Sequence, residues 1–538
     1  MIDCHIRNVV PVTATADRAH LAPHVTPSLL EGLVGRIDVV SGSGGMPVWA
    51  PFTETELATI PVADETDVKT AVTTARAAQS EWARMPLGER VAILTIFHDL
   101  LIESADVAMD VIQLEAGKAR IPAFEEVFDT IATTRYYLST GPGLLKRQRR
   151  AVSIPGTTRT YEYRHPVGVV GSISPWNFPF NLSVADIIPA LLAGNAVVGK
   201  PDEKTPFSLL YGVALLEEAG LPRGVIQVVT GPGEDIGPSL IDEVDFVVFT
   251  GSTAVGRMVA ARAGERLIGS SMELGGKNAA IVLADADLKT TIPGIGRAMF
   301  ANGGQLCISM ERIYVDEAIR AEFTQRLVDY TRGMSMTTAF DFSSIVSSMI
   351  DRNHLDRVHA HVEDAIDNGA TVLTGAEPRP DVGPLFYDPT LLSDVDESMS
   401  LCRDETFGPV ASIYGYESLD TAIAQANDSD LGLNYSVWTS DTGSGVEIAS
   451  RLHAGTVGVN DGYAAAWSSY DAPMGGFKSS GLGRRHGAVG LLKFTESQTI
   501  AVQKIGPAFA PIGSMSYATY QRILGPMLKL LRRLPLYK

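Results

Sequence analysis

The sequence predicts an α/β protein built on a doubly wound parallel sheet, and three observations carry that prediction. From Val167 onward, short apolar runs alternate with helix-length segments: "VGVVGSIS" precedes "LSVADIIPALLAG", "AVVGKP" precedes "TPFSLLYGVALLEEAG", "VIQVVTG" precedes "EDIGPSLIDE", and "DFVVFTG" precedes "TAVGRMVAARAG". Strands covered on both faces read as such runs, and the helices between them supply the cover. A second series begins at "NAAIVLADAD" and includes "TTIPGIGRAMFANGG", "RIYVDEAIRAEFTQRLVDYTRG" and "GTVGVNDG". At 538 residues the chain is too long for one core, so two such units with smaller additions are expected. Ligands in this class bind at the C-terminal ends of the strands.

Taken in order, residues 1–63 are rich in Pro, Gly, Ser and Thr and read as an N-terminal arm with short strands. Helical periodicity starts at Asp64 with "DETDVKTAVTTARAAQSEW" and runs through "GERVAILTIFHDLLIES", "DVAMDVIQLEAGK" and "FEEVFDTIATTRYYL". Residues 64–151 and 167–276 therefore form the first unit, and 277–460 the second. Between the two parts of the first unit, 152–166 alternates as an exposed strand pair, and "FTESQTIAVQ" within 488–504 is also strand-like. Residues 505–538 are basic and apolar, with Arg522, Lys529, Arg532, Arg533 and Lys538. They read as a tail packed on the chain's own surface or on a neighbouring subunit. A weak interfacial contact with a membrane is the sharper reading, and Pro526 and Pro535 limit any helix there.

Composition excludes several classes. A net charge of −18 argues against nucleic acid, which requires a basic face. Cys4, Cys307 and Cys402 are too few for a disulfide framework and match no zinc spacing, so no metal and a reducing, cytoplasmic compartment are expected. The N-terminus lacks a basic region followed by an apolar run, and no segment has the length and apolarity to span a membrane.

Several short segments can carry chemistry. "GPGEDIG", with Gly233, is one residue too long for the G-x-G-x-x-G dinucleotide fingerprint, and "GSTAVGRM" has P-loop glycine spacing without the Lys and Ser/Thr. A glycine turn into a helix N-terminus, here Gly251 and Ser252, still suits a pyrophosphate. Lys200 and Glu203 in "GKPDEKTP" stand at a strand end, where a ribose would lie. In "SPWNFPF" two prolines fix a loop, aromatic rings exclude water, and Asn177 offers an amide donor suited to an oxyanion. Glu273 in "MELGGKN" sits among apolar residues, where burial raises a carboxyl toward a general base. "ETFGPV" adds Glu405 and Phe407. Cys307 in "FANGGQLCIS" reads as a buried small hydrophobe or a nucleophile, and the ten histidines form no protease signature with it.

In this order, PWNFP, KPDEKTP, FTGSTAVG, MELGGKN, GGQLC, ETFGPV and PMGGFKSSGLGR resemble the aldehyde dehydrogenase superfamily over roughly Asp64 to Val502. The resemblance implies Cys307 as nucleophile, Asn177 as oxyanion donor and Glu273 as general base. It implies a Rossmann-like NAD(P)-binding unit (64–151 and 167–276) that does not use the usual fingerprint. Its cofactor contacts would be Ser174, Pro175, Trp176, Lys200, Asp202, Glu203, Gly233, Gly251, Ser252, Val255, Leu274, Glu405 and Phe407. The 277–460 unit would be catalytic, and 152–166 with 488–504 would be the oligomerisation strands of a homodimer or homotetramer.

The tail "GRRHGAVGLLKFTESQTIA" with "NDGYAAAWSSYDAPMGG" looks most like an actinobacterial branch of succinate-semialdehyde dehydrogenases. Enzymes of that activity carry two carboxylate-binding arginines at positions that are Ala185 and Ala301 here. The substrate would instead meet Phe178, Met474 and the loop of Tyr463, Trp467, Ser468 and Ser469. Ser309 stands where some relatives carry a second cysteine, so no disulfide switch is expected. Glu203 would repel a 2′-phosphate, giving a lean to NAD over NADP that Lys200 and Lys204 offset in part. Other aldehydes, CoA-acylating chemistry and a silent nucleotide-binding protein stay open as alternatives.

Overall fold

The apolar runs after Val167 pair into one six-stranded sheet of a computed structural model that describes residues 22–39, 41, 44–154, 156–505, 511 and 513–533. In spatial order its strands are Gly481–Leu482, Gly269–Glu273, Phe246–Thr250, Val169–Ile173, Ala196–Lys200 and Ile226–Val228. All pairs are parallel except that of Gly481–Leu482 with Gly269–Glu273. The chain winds outward from Val169–Ile173 in one direction and then in the other. That reversal opens a crevice beyond the strand ends, where ligands bind in such sheets. Glu273, Thr250 and Lys200 are last residues of their strands and so face that end of the sheet.

The second series forms a seven-stranded sheet in the order Thr371–Thr374, Thr390–Ser393, Val410–Tyr416, Met310–Asp316, Asn278–Val282, Asn434–Trp438 and Thr456–Val459. Only the Thr371–Thr374 edge is antiparallel. The helices read from Asp64 onward are present as Glu65–Arg84, Leu87–Glu103, Ala105–Ala116 and Arg120–Leu145. The first starts at Asp64, whose carboxylate accepts the Thr66 and Asp67 N–H groups while the Asp67 side chain accepts that of Asp64. Gly117, at φ +61°, ends the third in a left-handed cap.

The structure departs from the expectations in four places. The arm contains the expected strands, Gly44–Ala50 and Thr55–Val62, but also a helix, Pro27–Val34. Its signal was local: Thr26 accepts the Leu29 N–H and Pro27 fills the first turn, where no donor is needed. Residues 1–21, with Cys4, lie outside the described residues. The predicted strand pair in 152–166 is one strand, Thr158–Pro166, held between Gln148–Arg150 and Thr495–Gln503. In 488–504 only the second half is strand, because Gly487–Leu492 is helical. The tail forms the helix Tyr517–Leu531 straight through Pro526. An exposed helix tolerates this, since water can satisfy the carbonyl that proline leaves without a donor. None of its side chains is fully buried, and Tyr520, Leu524, Met527 and Leu531 are half-buried along one face. Among the described residues no helix is long and apolar enough to cross a membrane, and no His/Cys/Asp/Glu group could hold a metal.

Candidate active site

Cys307 sits in a loop that left-handed backbone forces into shape. After the helix Leu288–Phe300, the short turn Ala301–Gly304 places Asn302, Gly303 and Gly304 at φ of +56°, +62° and +70°. A Cβ on Gly304 would come within 1.9 Å of the Gly408 carbonyl oxygen, and one on Gly303 within 2.8 Å of that of Ser347. The glycines therefore admit neighbouring protein backbone. Three buried amides then hang the loop in place. Asn302 donates to the carbonyls of Asn177 and Gln305 (both 3.1 Å), and Gln305 donates to Asn302 and Ser348 (3.0 and 2.9 Å). Asn278 donates to the Cys307 and Ser309 carbonyls at 2.8 and 2.7 Å. The Ser309 hydroxyl is spent on the Met299 carbonyl at 2.9 Å.

Cys307 shares a cavity of about 200 Å³ with Trp176, Asn177, Glu273, Glu405 and Phe407. Asn177 is buried and gives one amide hydrogen to the Gln305 carbonyl at 3.1 Å, which orients the group and leaves its second donor. Glu273 is buried at its strand end with Oε1 unbonded. Burial raises its carboxyl to about 7, and Arg485 and Lys493 hold it from going higher. Burial, with Glu405 and Glu273 nearby, pushes the Cys307 thiol up to about 12. The protein's own groups do not lower the thiol as the sequence reading expected: burial is the largest cause, and Arg485 opposes it only in part.

Glu405 is likewise raised, to about 8, by burial and by Glu311. It accepts the Gly276 N–H at 2.9 Å, and a Cβ on Gly275 would strike its carboxylate at 2.3 Å. A largely protonated carboxyl can both donate to and accept from a sugar hydroxyl. Phe407, at φ +55°, stands perpendicular to Trp176 with ring centres 5.5 Å apart. The Glu311 carboxylate accepts the Thr406 and Phe407 N–H groups and is paired to buried Lys277. His354 donates its Nε2–H to the Phe407 carbonyl at 2.8 Å. The sequence reading missed Lys277, Glu311, His354 and Arg357, the last of which also lines the cavity. Lys277 lies inside "MELGGKN", but its partner is 34 positions away, so nothing in the sequence marked the pair.

The remaining cofactor candidates divide. Pro175, Gly251, Ser252 and Leu274 line the same cavity. Ser252 caps the helix Thr253–Glu265 by accepting the Val255 N–H, which leaves a helix N-terminus facing the crevice, fit for a pyrophosphate. Lys200 is buried and 3.4 Å from Glu203, and the Cβ position of Gly233 is 3.8 Å from its ammonium. These three form a separate polar corner suited to a ribose. Ser174 only continues the backbone, donating to the Lys200 carbonyl at 3.1 Å. Asp202 accepts the Lys204 N–H at 3.1 Å and shapes the turn. Together these groups fit a dinucleotide laid across the strand ends.

The aldehyde dehydrogenase family matches residues 39–500. The chain belongs to that family. It is an NAD(P)-dependent, aldehyde-oxidising enzyme of the α/β fold the sequence predicted. A protein of Mycolicibacterium smegmatis that carries the provisional name succinate-semialdehyde dehydrogenase (NADP(+)) is 47% identical over 98% of this chain and 100% of its own. A Mycobacterium tuberculosis protein with the same provisional name, numbered 2, is 48% identical over 90% of this chain and 93% of its own. The crystal structure of an NAD-dependent aldehyde dehydrogenase from Sinorhizobium meliloti is similar at a TM-score of 0.83 and 33% identity, over 88% of this chain and 94% of that one.

In this aldehyde dehydrogenase a second cavity, of about 320 Å³, is lined by Phe178, Leu306 and Ile308, the chain neighbours of Asn177 and Cys307, which line the first. Tyr463, Trp467 and Ser468, read from the sequence as candidate substrate contacts, line it. Met474 does not line it. That side chain is packed in the core with Phe178 and bridges backbone to backbone with Arg485. Ala185 and Ala301 are both buried and carry no charge into the site.

Proposed function

We propose that this enzyme oxidises an ω-carboxy aldehyde, succinate semialdehyde being the example named by its relatives, to the dicarboxylic acid through a covalent bond at Cys307. The observation that carries the proposal is the single cavity holding the Cys307 thiol, the Asn177 amide and the Glu273 carboxylate. The Cys307 sulfur adds to the carbonyl carbon, and the Asn177 amide and the Cys307 backbone N–H stabilise the oxygen that becomes negative. When held by the residues named below, an oxidised nicotinamide would supply the hydride acceptor. After hydride loss a thioester joins substrate and Cys307. Glu273 takes a proton from water, whose oxygen bonds to the acyl carbon as the sulfur leaves. Lys200, Glu203, Gly233, Ser252, Glu405 and Phe407 hold the dinucleotide.

The test follows NAD(P)H release over aliphatic, aromatic and ω-carboxy aldehydes. Carboxylate-bearing aldehydes are expected to give the highest kcat/KM, and Cys307→Ala to lose at least ~10³-fold. A preference for uncharged aldehydes would remove the substrate class, and undiminished oxidation by Cys307→Ala the mechanism. Acyl-CoA instead of free acid as product would favour the CoA-acylating alternative.

Glu203 supports a lean to NAD, although the mycobacterial relatives are named for NADP(+). Glu203→Ala is expected to raise kcat/KM with NADP relative to NAD, and an unchanged ratio would end the repulsion argument. We further propose a cytoplasmic homodimer or homotetramer joined along the strand Thr495–Gln503, which forms an open sheet edge, and a weak membrane contact by the tail helix. Sedimentation of the purified chain distinguishes the oligomers from a monomer.

A further inference from the structure

The cavity beyond Cys307 is larger and more apolar than a four-carbon acid requires. Its volume of about 320 Å³ falls in the range of ~300 Å³ and above found for drug-sized ligands. Its walls are mainly aromatic and aliphatic, with Phe124, Phe128, Phe178, Tyr463 and Trp467 among them. Phe124 and Phe128 stack at 5.8 Å, and Phe342 closes on Phe124 edge-on at 6.1 Å. These three rings are 46%, 56% and 58% exposed, an apolar rim at the outer end. Large side chains are left exposed together mainly where something apolar passes or binds.

One positive charge reaches this cavity: among its lining residues only Arg297 is a cation. Two of the three lining carboxylates are already committed. Glu126 is taken by buried Lys118 at 2.6 Å and by the Phe180 and Asn181 N–H groups. Asp129 accepts from the Tyr470 hydroxyl at 2.8 Å and the Asn181 amide at 2.6 Å. The third, Glu125, pairs with Arg297 and accepts the Tyr463 hydroxyl at 3.0 Å. Arg297 stacks on the Tyr463 ring at 5.8 Å, and its side chain is 47% exposed, with donors to spare beyond the one given to Glu125. It lies on the helix Leu288–Phe300 and lines the cavity with Leu306 and Ile308, the neighbours of Cys307 in the chain, in the same wall.

We propose that Arg297, stacked on Tyr463 and shared with Glu125, whose charge competes with that of a ligand, is the carboxylate anchor of the substrate cavity, and that the size of this cavity selects ω-carboxy aldehydes of about six or more carbons over the four-carbon succinate semialdehyde. The chain of such a substrate fills the aromatic cavity while its carboxylate accepts from the guanidinium. This inference rests on the ω-carboxy aldehyde reading and adds to it a chain length and an anchor.

The experiment measures kcat/KM for 4-oxobutanoate, 6-oxohexanoate, 8-oxooctanoate and hexanal in the wild type, Arg297→Leu and Glu125→Gln. The longer acids are expected to exceed 4-oxobutanoate by about tenfold. In Arg297→Leu the ratio of 6-oxohexanoate to hexanal is expected to fall about tenfold or more, mainly through KM, and in Glu125→Gln to rise. Opposite signs in the two variants separate an anchor from a merely structural pair. A wild-type preference for 4-oxobutanoate over the longer acids, or an unchanged ratio in Arg297→Leu, would overturn this inference while leaving the ω-carboxy reading intact. A wild-type preference for hexanal over all three acids would overturn both.

Discussion

Glu273 shows how one residue's surroundings set its chemistry. Its carboxyl is raised from near 4.5 to about 7, first by burial. The base form therefore grows in as pH passes 7, and acid release from the thioester is expected to rise between about pH 6 and 8. Glu273→Gln should remove that limb and let acyl-enzyme accumulate, read as a burst of NAD(P)H without steady turnover. The sign for stability is opposite to that of a salt-bridged carboxylate. A folded pKa above the unfolded one means that stability falls as pH rises from 4.5 to 7. Relative to wild type, Glu273→Gln should gain stability over that window, on the order of 3 kcal/mol at most, measured by urea midpoints at pH 5 and pH 8. An equal midpoint difference at both pH values would contradict the raised pKa.

At the scale of the element, the Cys307 loop depends on three consecutive left-handed residues, Asn302, Gly303 and Gly304. Gly304→Ala meets both a strained φ of +70° and a carbonyl oxygen 1.9 Å from the new methyl. A loss of roughly 2–4 kcal/mol is expected, together with at least ~10-fold in kcat as the sulfur shifts against Asn177. Denaturant titration and single-turnover kinetics read the two effects separately, and a variant as active and stable as wild type would disprove the constraint. "FANGG" in the sequence showed a glycine pair just before Cys307. It did not show that the turn packs against Gly408 and Ser347, which are about a hundred and about forty positions away.

At the scale of the whole molecule, two sheets meet so that strand ends of one supply Glu273 and the other positions Cys307 before Met310–Asp316. The helix Tyr517–Leu531 has no fully buried side chain. A chain ending at Lys504 should therefore keep its thermal midpoint within a few degrees and its activity on soluble substrate. The same truncation should lose any binding to vesicles of anionic lipid. A large drop in the midpoint would show that the helix is buried against another subunit.

The sequence by itself determined the fold class, the order of the strands along the chain, and the identity of the reactive groups, because each is written in local signals. Apolar runs of strand length, helical periodicity and short motifs around Asn177, Glu273 and Cys307 need no partner to be read. It misread the ends of elements at 152–166 and 488–504 and the effect of Pro526, where local breakers compete with pairing and with solvent. Only the tertiary structure decided the electrostatics and the shape of the substrate cavity. The high pKa of Cys307, the Lys277–Glu311 support under Phe407 and the Arg297–Glu125–Tyr463 cluster each join residues far apart in the chain. Charge, burial and cavity volume are properties of neighbours in space, and that neighbourhood exists only once the two sheets have packed.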